Sequence, residues 1–285
     1  MNKLLAVCAV PAILVGSSCT PAPPPATEVE AVRWQSVPVD PSDPAWDRAP
    51  AYAAALILQD LVEPRLLQPS TPSVEVRALT DGDTIGFKLS WNDVTPDDLP
   101  GTSRFSDACA VQLPLGTQPD VPAPQMGEGG RAVEIAYWRA SWQAAVDGRP
   151  DTIQALYPLA TVDHYPFEAP SLDPESRRLL ALQYAPAIEL GHGMEGPRER
   201  AVEDLVAEGP GTLTRAVEQR SKGVGVRTPS GWEVVIARPL PAGLEPGGRS
   251  QIAFAVWDGR QEEVGARKMR SVWVPLSLAA EGERR

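Results

Sequence analysis

The side chains able to do acid–base, redox or metal chemistry are few in this sequence. Two histidines, three cysteines and four methionines occur in 285 residues. His164 sits in Asp163-His164-Tyr165-Pro166 and His192 in Gly191-His192-Gly193-Met194. Both contexts read as exposed loops rather than ligand positions. Cys8 lies in an apolar leader and Cys19 at its end, so Cys109 is the one core cysteine. Alone it makes no intramolecular disulfide and no cysteine-rich zinc or iron–sulfur site. The sequence holds no glycine-rich phosphate loop, no Gly-x-Ser-x-Gly elbow and no His-Glu-x-x-His. Carboxylates are plentiful, but no spacing singles out an acid/base pair. The eight tryptophans are large flat apolar groups, suited to a sandwich core or to packing against a cofactor.

The elements that must position these groups are strands. The 31 prolines and 23 glycines suit a strand-and-loop protein better than a helical bundle. Val74 to Leu79 and Thr84 to Trp91 alternate apolar and polar residues, and Asp81-Gly82-Asp83 between them predicts a hairpin. Ala108 to Leu113, Ala132 to Trp138, Trp232 to Arg238, Ile252 to Trp257 and Ser271 to Leu276 are further predicted strands. Asp43-Pro44-Ala45-Trp46-Asp47 reads as a turn with an anchoring tryptophan, and Asp258-Gly259 as a turn after Trp257. The stretch Asp151 to Glu208 is loop-rich. Asp173-Pro174 predicts the start of a short helix through Tyr184, and Ala201 to Ala207 a second one. The fold expected is mainly β: a single antiparallel β-sandwich with short helices and a long loop-rich insertion.

The N-terminus predicts export. Lys3 precedes the apolar run Leu4 to Val15, and Gly16-Ser17-Ser18 lead into Cys19. The run is too short to span a bilayer as a stable helix, and the pattern is that of a secretory signal. Cys19 is a candidate lipidation site, although Gly16 stands where a larger aliphatic residue is usual. Residues 1–18 are thus expected to be a signal, 19–31 a Pro-rich tether, and 32–280 one domain. The predicted location is periplasmic, with lipid anchoring at Cys19 as one option. The net charge of −11 and pI near 4.8 repel nucleic acid and anionic lipid, and allow a basic partner. No Cys-x-x-Cys-His is present, so covalent c-type haem attachment is excluded.

Several short segments in order resemble the haem b γ subunits of type II dimethyl sulfoxide reductase family enzymes: ethylbenzene dehydrogenase, selenate reductase, chlorate reductase and dimethyl sulfide dehydrogenase. Related γ-like subunits accompany nitrite oxidoreductases. The segments run from Trp46 to Trp273. They include Val76-Arg77-Ala78-Leu79-Thr80-Asp81-Gly82, Phe87-Lys88-Leu89-Ser90-Trp91 and Phe105-Ser106-Asp107-Ala108. Val111-Gln112-Leu113-Pro114, Met126-Gly127-Glu128, Gly211-Thr212-Leu213-Thr214 and Gly231-Trp232-Glu233-Val234-Val235 follow. Arg238-Pro239-Leu240, Ile252-Ala253-Phe254-Ala255-Val256-Trp257-Asp258-Gly259 and Gly265-Ala266-Arg267-Lys268 complete the series. Each is weak alone; their order carries the match.

The resemblance implies a non-catalytic electron-transfer subunit holding one haem b through a methionine and a lysine. On this sequence these are Met126 and Lys268. Met194 and Met269 are the rival methionines. Met269 adjoins Lys268, and on a strand the two would face opposite ways. A lysine that ligates must lose its proton, which burial and a metal favour. Methionine ligation tends to raise the haem potential, and two axial ligands leave no open position. The implied partners are an iron–sulfur β subunit, a molybdopterin α subunit, and a soluble cytochrome c or the quinone pool. Two alternatives stay open: a haem-free module that binds carbohydrate through its tryptophans, and a free-standing lipoprotein cytochrome. Without the resemblance, Lys268 reads as an exposed strand-end lysine and Met126 as a loop methionine.

Overall fold

The computed structural model describes residues 26–280 and Gly282, apart from 117–119, 151, 162–167 and 191–197. Fourteen strands in the described residues form two facing sheets that share one strand. The first sheet runs β10 (Lys222–Arg227), β11 (Gly231–Pro239), β5 (Thr84–Asn92), β4 (Ser73–Thr80), β1 (Val29–Arg33), β14 (Val274–Leu278) and β12 (Arg249–Trp257). The second continues from β12 through β6 (Ala108–Pro114), β7 (Val133–Arg139), β8 (Val202–Ala207) and β9 (Thr214–Arg215). The strand β12 changes sheets along its length. Arg249 to Ile252 pair with β14, while Ala253 to Trp257 pair with β6. The short strand β13 (Met269–Arg270) lies on the other side of β12 and carries β3 (Ile57–Leu58). The remaining strand, β2 (Tyr52–Ala55), pairs with β4.

The sandwich expected from the alternating segments is what forms. The hairpin β4–β5 has the predicted turn, with Gly82 at φ 100°. One feature departs from an antiparallel plan. The strand β1 inserts parallel between β4 and β14. It also begins at Val29, inside the segment read as tether. Its residues Val29, Ala31 and Val32 are buried, so docking across two edges fixes a segment too short to show a period of its own.

Inner faces of both sheets meet in the main core. Trp138 of β7 is fully buried and lies edge-on to Trp91 and Trp232 of the opposite sheet, at 6.4 and 5.2 Å. A Cβ on Gly225 would come within 2.1 Å of the Trp138 ring. That close approach is why the glycine-rich β10, which carries weak strand propensity, still forms a strand. Edge-to-face rings of this kind add to the area they bury.

The turn at Asp43 is a 3-10 turn, capped by the Asp43 carboxylate on Ala45 N–H. Its Trp46 is buried and donates to Asp40 O at 3.0 Å. The Asp258 turn is likewise side-chain capped. The insertion holds α2 (Ile153–Leu156), α3 (Pro174–Tyr184) and α4 (Pro186–Glu189), after α1 (Ala140–Val146), which follows β7 directly. The helix α3 starts at the predicted Asp173 cap. The predicted helix over Ala201 to Ala207 is instead the strand β8. Pairing with β7, from Trp138 opposite Val202 to Val133 opposite Ala207, overrides its helical preference. The predicted strand over Ser271 to Leu276 splits into β13 and β14, because Ser271 turns to bond Phe254 through both backbone and hydroxyl.

Candidate functional site

The second sheet has two apolar faces. Cys109, Val111, Ala136, Trp138, Phe254 and Val256 point into the main core. Their neighbours Ala108, Ala110, Val133, Ile135, Ala255 and Trp257 point the other way and form a second apolar cluster. A sheet face exposed to water normally alternates to polar residues; this one does not. Above it lies a cavity of about 790 Å³, within the range that holds cofactors and drug-sized ligands. Ala110, Ala253 and Ala255 give it a low floor. Tyr137 stands at one side, edge-on between Trp142 at 5.4 Å and Trp257 at 5.2 Å. Burial pushes the Tyr137 phenol up to about 12, so it stays protonated.

Two loops close over this floor, and each brings one predicted residue. Met126 arrives on the first. Its backbone is left-handed at φ 68°, and Gly127 follows at φ 79°. For a non-glycine residue that conformation costs about 1–3 kcal/mol and persists only where surroundings enforce it. Here Gly127 N–H donates to Ala123 O at 2.9 Å and Gly209 N–H to Met126 O at 2.8 Å. A Cβ on Gly127 would sit 2.8 Å from Arg131 O and 3.0 Å from Ala207 O, so the turn needs glycine there. Trp273 Nε1 donates to Pro122 O at 2.6 Å, and Gln112 Nε2 to Pro124 O at 3.0 Å. These bonds pin the loop to the sheet and turn the Met126 side chain onto the apolar cluster.

Lys268 arrives on the second loop, just before β13. Gln59 holds this loop: its Nε2 donates to Ala266 O at 3.0 Å, and its backbone N–H to Lys268 O at 3.1 Å. Trp257 Nε1 donates to Gly265 O at 3.1 Å. The Lys268 ammonium lies 3.9 Å from Met126 Sδ and 5.0 Å from the Trp257 ring centre. Burial, helped by the neighbouring Arg270 charge, lowers the lysine to about 8. The residue has no carboxylate partner among the described ion pairs. It is therefore not the exposed strand-end lysine that its Arg-rich neighbourhood suggests.

Met126 and Lys268 are 142 residues apart in sequence, and the fold brings their donor atoms together over the cavity. Met269 turns the other way and is 2% exposed in the main core, as the strand alternation predicts. Cys109 packs in the same core. Met194, His164, His192, Cys8 and Cys19 lie outside the described residues.

Sequence reasoning missed several groups. Tyr137, Trp142 and Gln112 line the cavity, and so do Glu203 with Arg215, paired at 2.8 Å. Glu263 is buried there, accepts from Asp258 N–H, and is pushed up to about 7 by burial. The signal available was the absence of polar alternation on β6 and β12. At one end of the sheet a separate hub forms around the fully buried Asp107. It accepts from Asp97 N–H, Trp232 Nε1 and Gly259 N–H, each at 2.9 Å. Burial, with nearby Asp93, pushes its carboxyl up to about 7 against the pull of those donors.

A β-sandwich with a cofactor-sized cavity on one outer face is the class that fold and site define. Residues 43–155 match the family model described as ethylbenzene dehydrogenase. A protein of Haloferax mediterranei named as a respiratory nitrate reductase heme subunit is 25% identical over 258 residues, covering 87% of this chain and 72% of the relative. The chlorate reductase subunit gamma of Ideonella dechloratans is 24% identical over 245 residues, covering 83% and 78%. Among solved structures, a family 9 carbohydrate binding module from Caldicellulosiruptor kristjanssonii, in complex with cellotriose, aligns with a TM-score of 0.45 and 9% identity, covering 90% of this chain and 95% of that one.

Proposed function

We propose that this protein is the haem-bearing, non-catalytic γ subunit of a molybdenum oxidoreductase of the dimethyl sulfoxide reductase family. It holds one haem b between Met126 and Lys268. The observation that carries this reading is the 3.9 Å approach of a thioether and a half-buried lysine amine over a largely apolar, cofactor-sized cavity. The names of the two relatives, a nitrate reductase heme subunit and a chlorate reductase subunit gamma, support it.

The residues present suit the group. Met126 would offer the iron a thioether sulfur and Lys268 an amine nitrogen, the two donor atoms lying 3.9 Å apart. Lys268 is already lowered toward neutrality, which reduces the cost of freeing its lone pair. Ala110 and Ala255 leave room for a flat ring, and Trp257 and Tyr137 flank it. The strained Met126 turn and the Gln59 clamp fix the loops that carry the two donors. The apolar floor and the Met126 thioether would both raise the reduction potential of a bound haem. Haem, when bound, supplies one-electron chemistry.

In this reading the subunit relays electrons between an iron–sulfur β subunit, which serves a molybdopterin α subunit, and a cytochrome c or the quinone pool. The proposal includes export to the periplasm on the leader at residues 1–18, with lipid anchoring at Cys19 as one option. Among the described residues no helix is long and apolar enough to cross a membrane. The test is the spectrum of the full chain supplied with haemin. A low-spin b-type spectrum is expected, and Lys268→Ala and Met126→Ala should each lower haem retention or shift the spectrum toward high spin. A chain that takes up no haem, or two variants with unchanged low-spin spectra, would refute the proposal.

A further inference from the structure

The strand β13 sends Met269 into the core and the next residue, Arg270, toward the cavity. Arg270 is 7% exposed, and its Nε and Nη1 atoms are buried without a hydrogen-bond partner. Among the described residues no ion pair joins it to a carboxylate; the carboxylate that acts on its charge, Asp60, does so from beyond ion-pair distance. A buried guanidinium left this way is strongly unfavourable. Two carboxylates of the lining are paired: Glu203 with Arg215 at 2.8 Å, and Glu63 with Arg65 at 2.7 Å. The position therefore calls for an anion inside the cavity.

We infer that Arg270 is the carboxylate anchor of the cavity, gripping a propionate of the ring held at Met126 and Lys268; this rests on the haem reading above. The planar guanidinium fork matches a carboxylate in a bidentate pair. Lys268 and Arg270 are two residues apart, so on an extended backbone they share a face. One then meets the centre of the ring and the other its edge. Two axial donors alone leave a ring free to turn about their axis. A charged anchor at the edge fixes that rotation, and so fixes which edge faces the cavity mouth. Arg270 is a positioning residue in this scheme, since it touches neither donor atom.

The test compares haemin with haemin dimethyl ester, in which both propionates are masked. The full chain is prepared without haem and titrated with each, and dissociation constants are read from the absorbance change. Wild type should bind the ester about 10- to 100-fold more weakly than haemin, as expected for a lost charge-assisted hydrogen bond. Arg270→Gln should bind both ligands equally, at the ester's affinity, and Arg270→Lys should recover part of the difference. Wild type that binds no haemin at all overturns the haem reading and this inference with it. Wild type that binds haemin in a low-spin state, yet binds the ester as tightly, overturns the anchor alone. So does an Arg270→Gln protein that keeps the full preference for haemin. If Arg270→Gln does not fold, the wild-type comparison still decides.

Discussion

The two faces of the second sheet come from the same strands by simple alternation, yet one is filled and the other is open. On the inner face Trp138, Val111 and Phe254 interlock with Trp91, Trp232 and Ile236 of the opposite sheet. On the outer face Ala110, Ala253 and Ala255 stand opposite a space of about 790 Å³. Both faces are apolar, so both were selected to lose water. Side-chain volume is what differs. The inner face closes because large rings reach across to a second sheet. The outer face has small residues and, in place of a second sheet, two loops that carry Met126 and Lys268. An apolar face that the chain leaves unfilled is a binding surface, not a defective core.

Breaking the inner face should have the largest effect on stability. Trp138→Ala empties the contact between the sheets and removes the ring edges that meet Trp91 and Trp232. A loss of about 3–5 kcal/mol is expected in denaturant unfolding. A loss below about 1 kcal/mol would mean that the two sheets do not depend on this ring.

The Asp107 hub joins the inner face to the turn after β12, and its replacement should cost less. Asp107→Asn presents an amide N–H to at least one donor, for a loss of about 1–3 kcal/mol. It also has a pH signature. The folded carboxyl is pushed up to about 7, whereas an ordinary aspartate titrates at 3.8. Between those values the folded state holds a proton that the unfolded state has lost. Stability from this group is therefore full below about pH 4 and falls as pH rises through 7. The Asn variant should lose that slope in unfolding midpoints measured from pH 4 to 8.

The smallest effect on stability, and the sharpest contrast, belongs to the outer face. Ala255→Leu adds apolar bulk to open space, so unfolding free energy should move by no more than about 0.5 kcal/mol. Haemin uptake should nevertheless fall at least about tenfold, because the added side chain occupies the floor of the cavity. An inner-face change of similar size would reverse this pattern and cost stability first. Unfolding and haem titration on the same preparations separate the two cases.

How much of this was readable in the chain varies by element. The hairpin from Ser73 to Asn92 was legible because alternation and an Asp-Gly turn agree. Helix α3 was legible from Asp173-Pro174. Strand β8 was not, because Ala201 to Ala207 carries helical propensity and only its pairing with β7 overrules it. Strand β10 was hidden by Gly223 and Gly225, which are explained by the Val202 and Trp138 side chains that fill their places. At the site, Met126 and Lys268 came from family resemblance, not from their spacing. Nothing local marks a loop methionine and a strand-end lysine as neighbours, and Arg270 beside them reads as surface charge.

The sequence by itself determined the strand alternation and the turns at Asp43, Gly82 and Asp258. Those follow from side-chain period and backbone preference, which are local. Tertiary structure alone decided that β12 is shared between two sheets, that one outer apolar face stays open, and that Met126 and Lys268 meet at 3.9 Å. Each of these depends on contacts between residues far apart in the chain. The same closure gives Lys268 its lowered proton affinity and Arg270 its unmet charge, because both follow from burial that a linear sequence does not display.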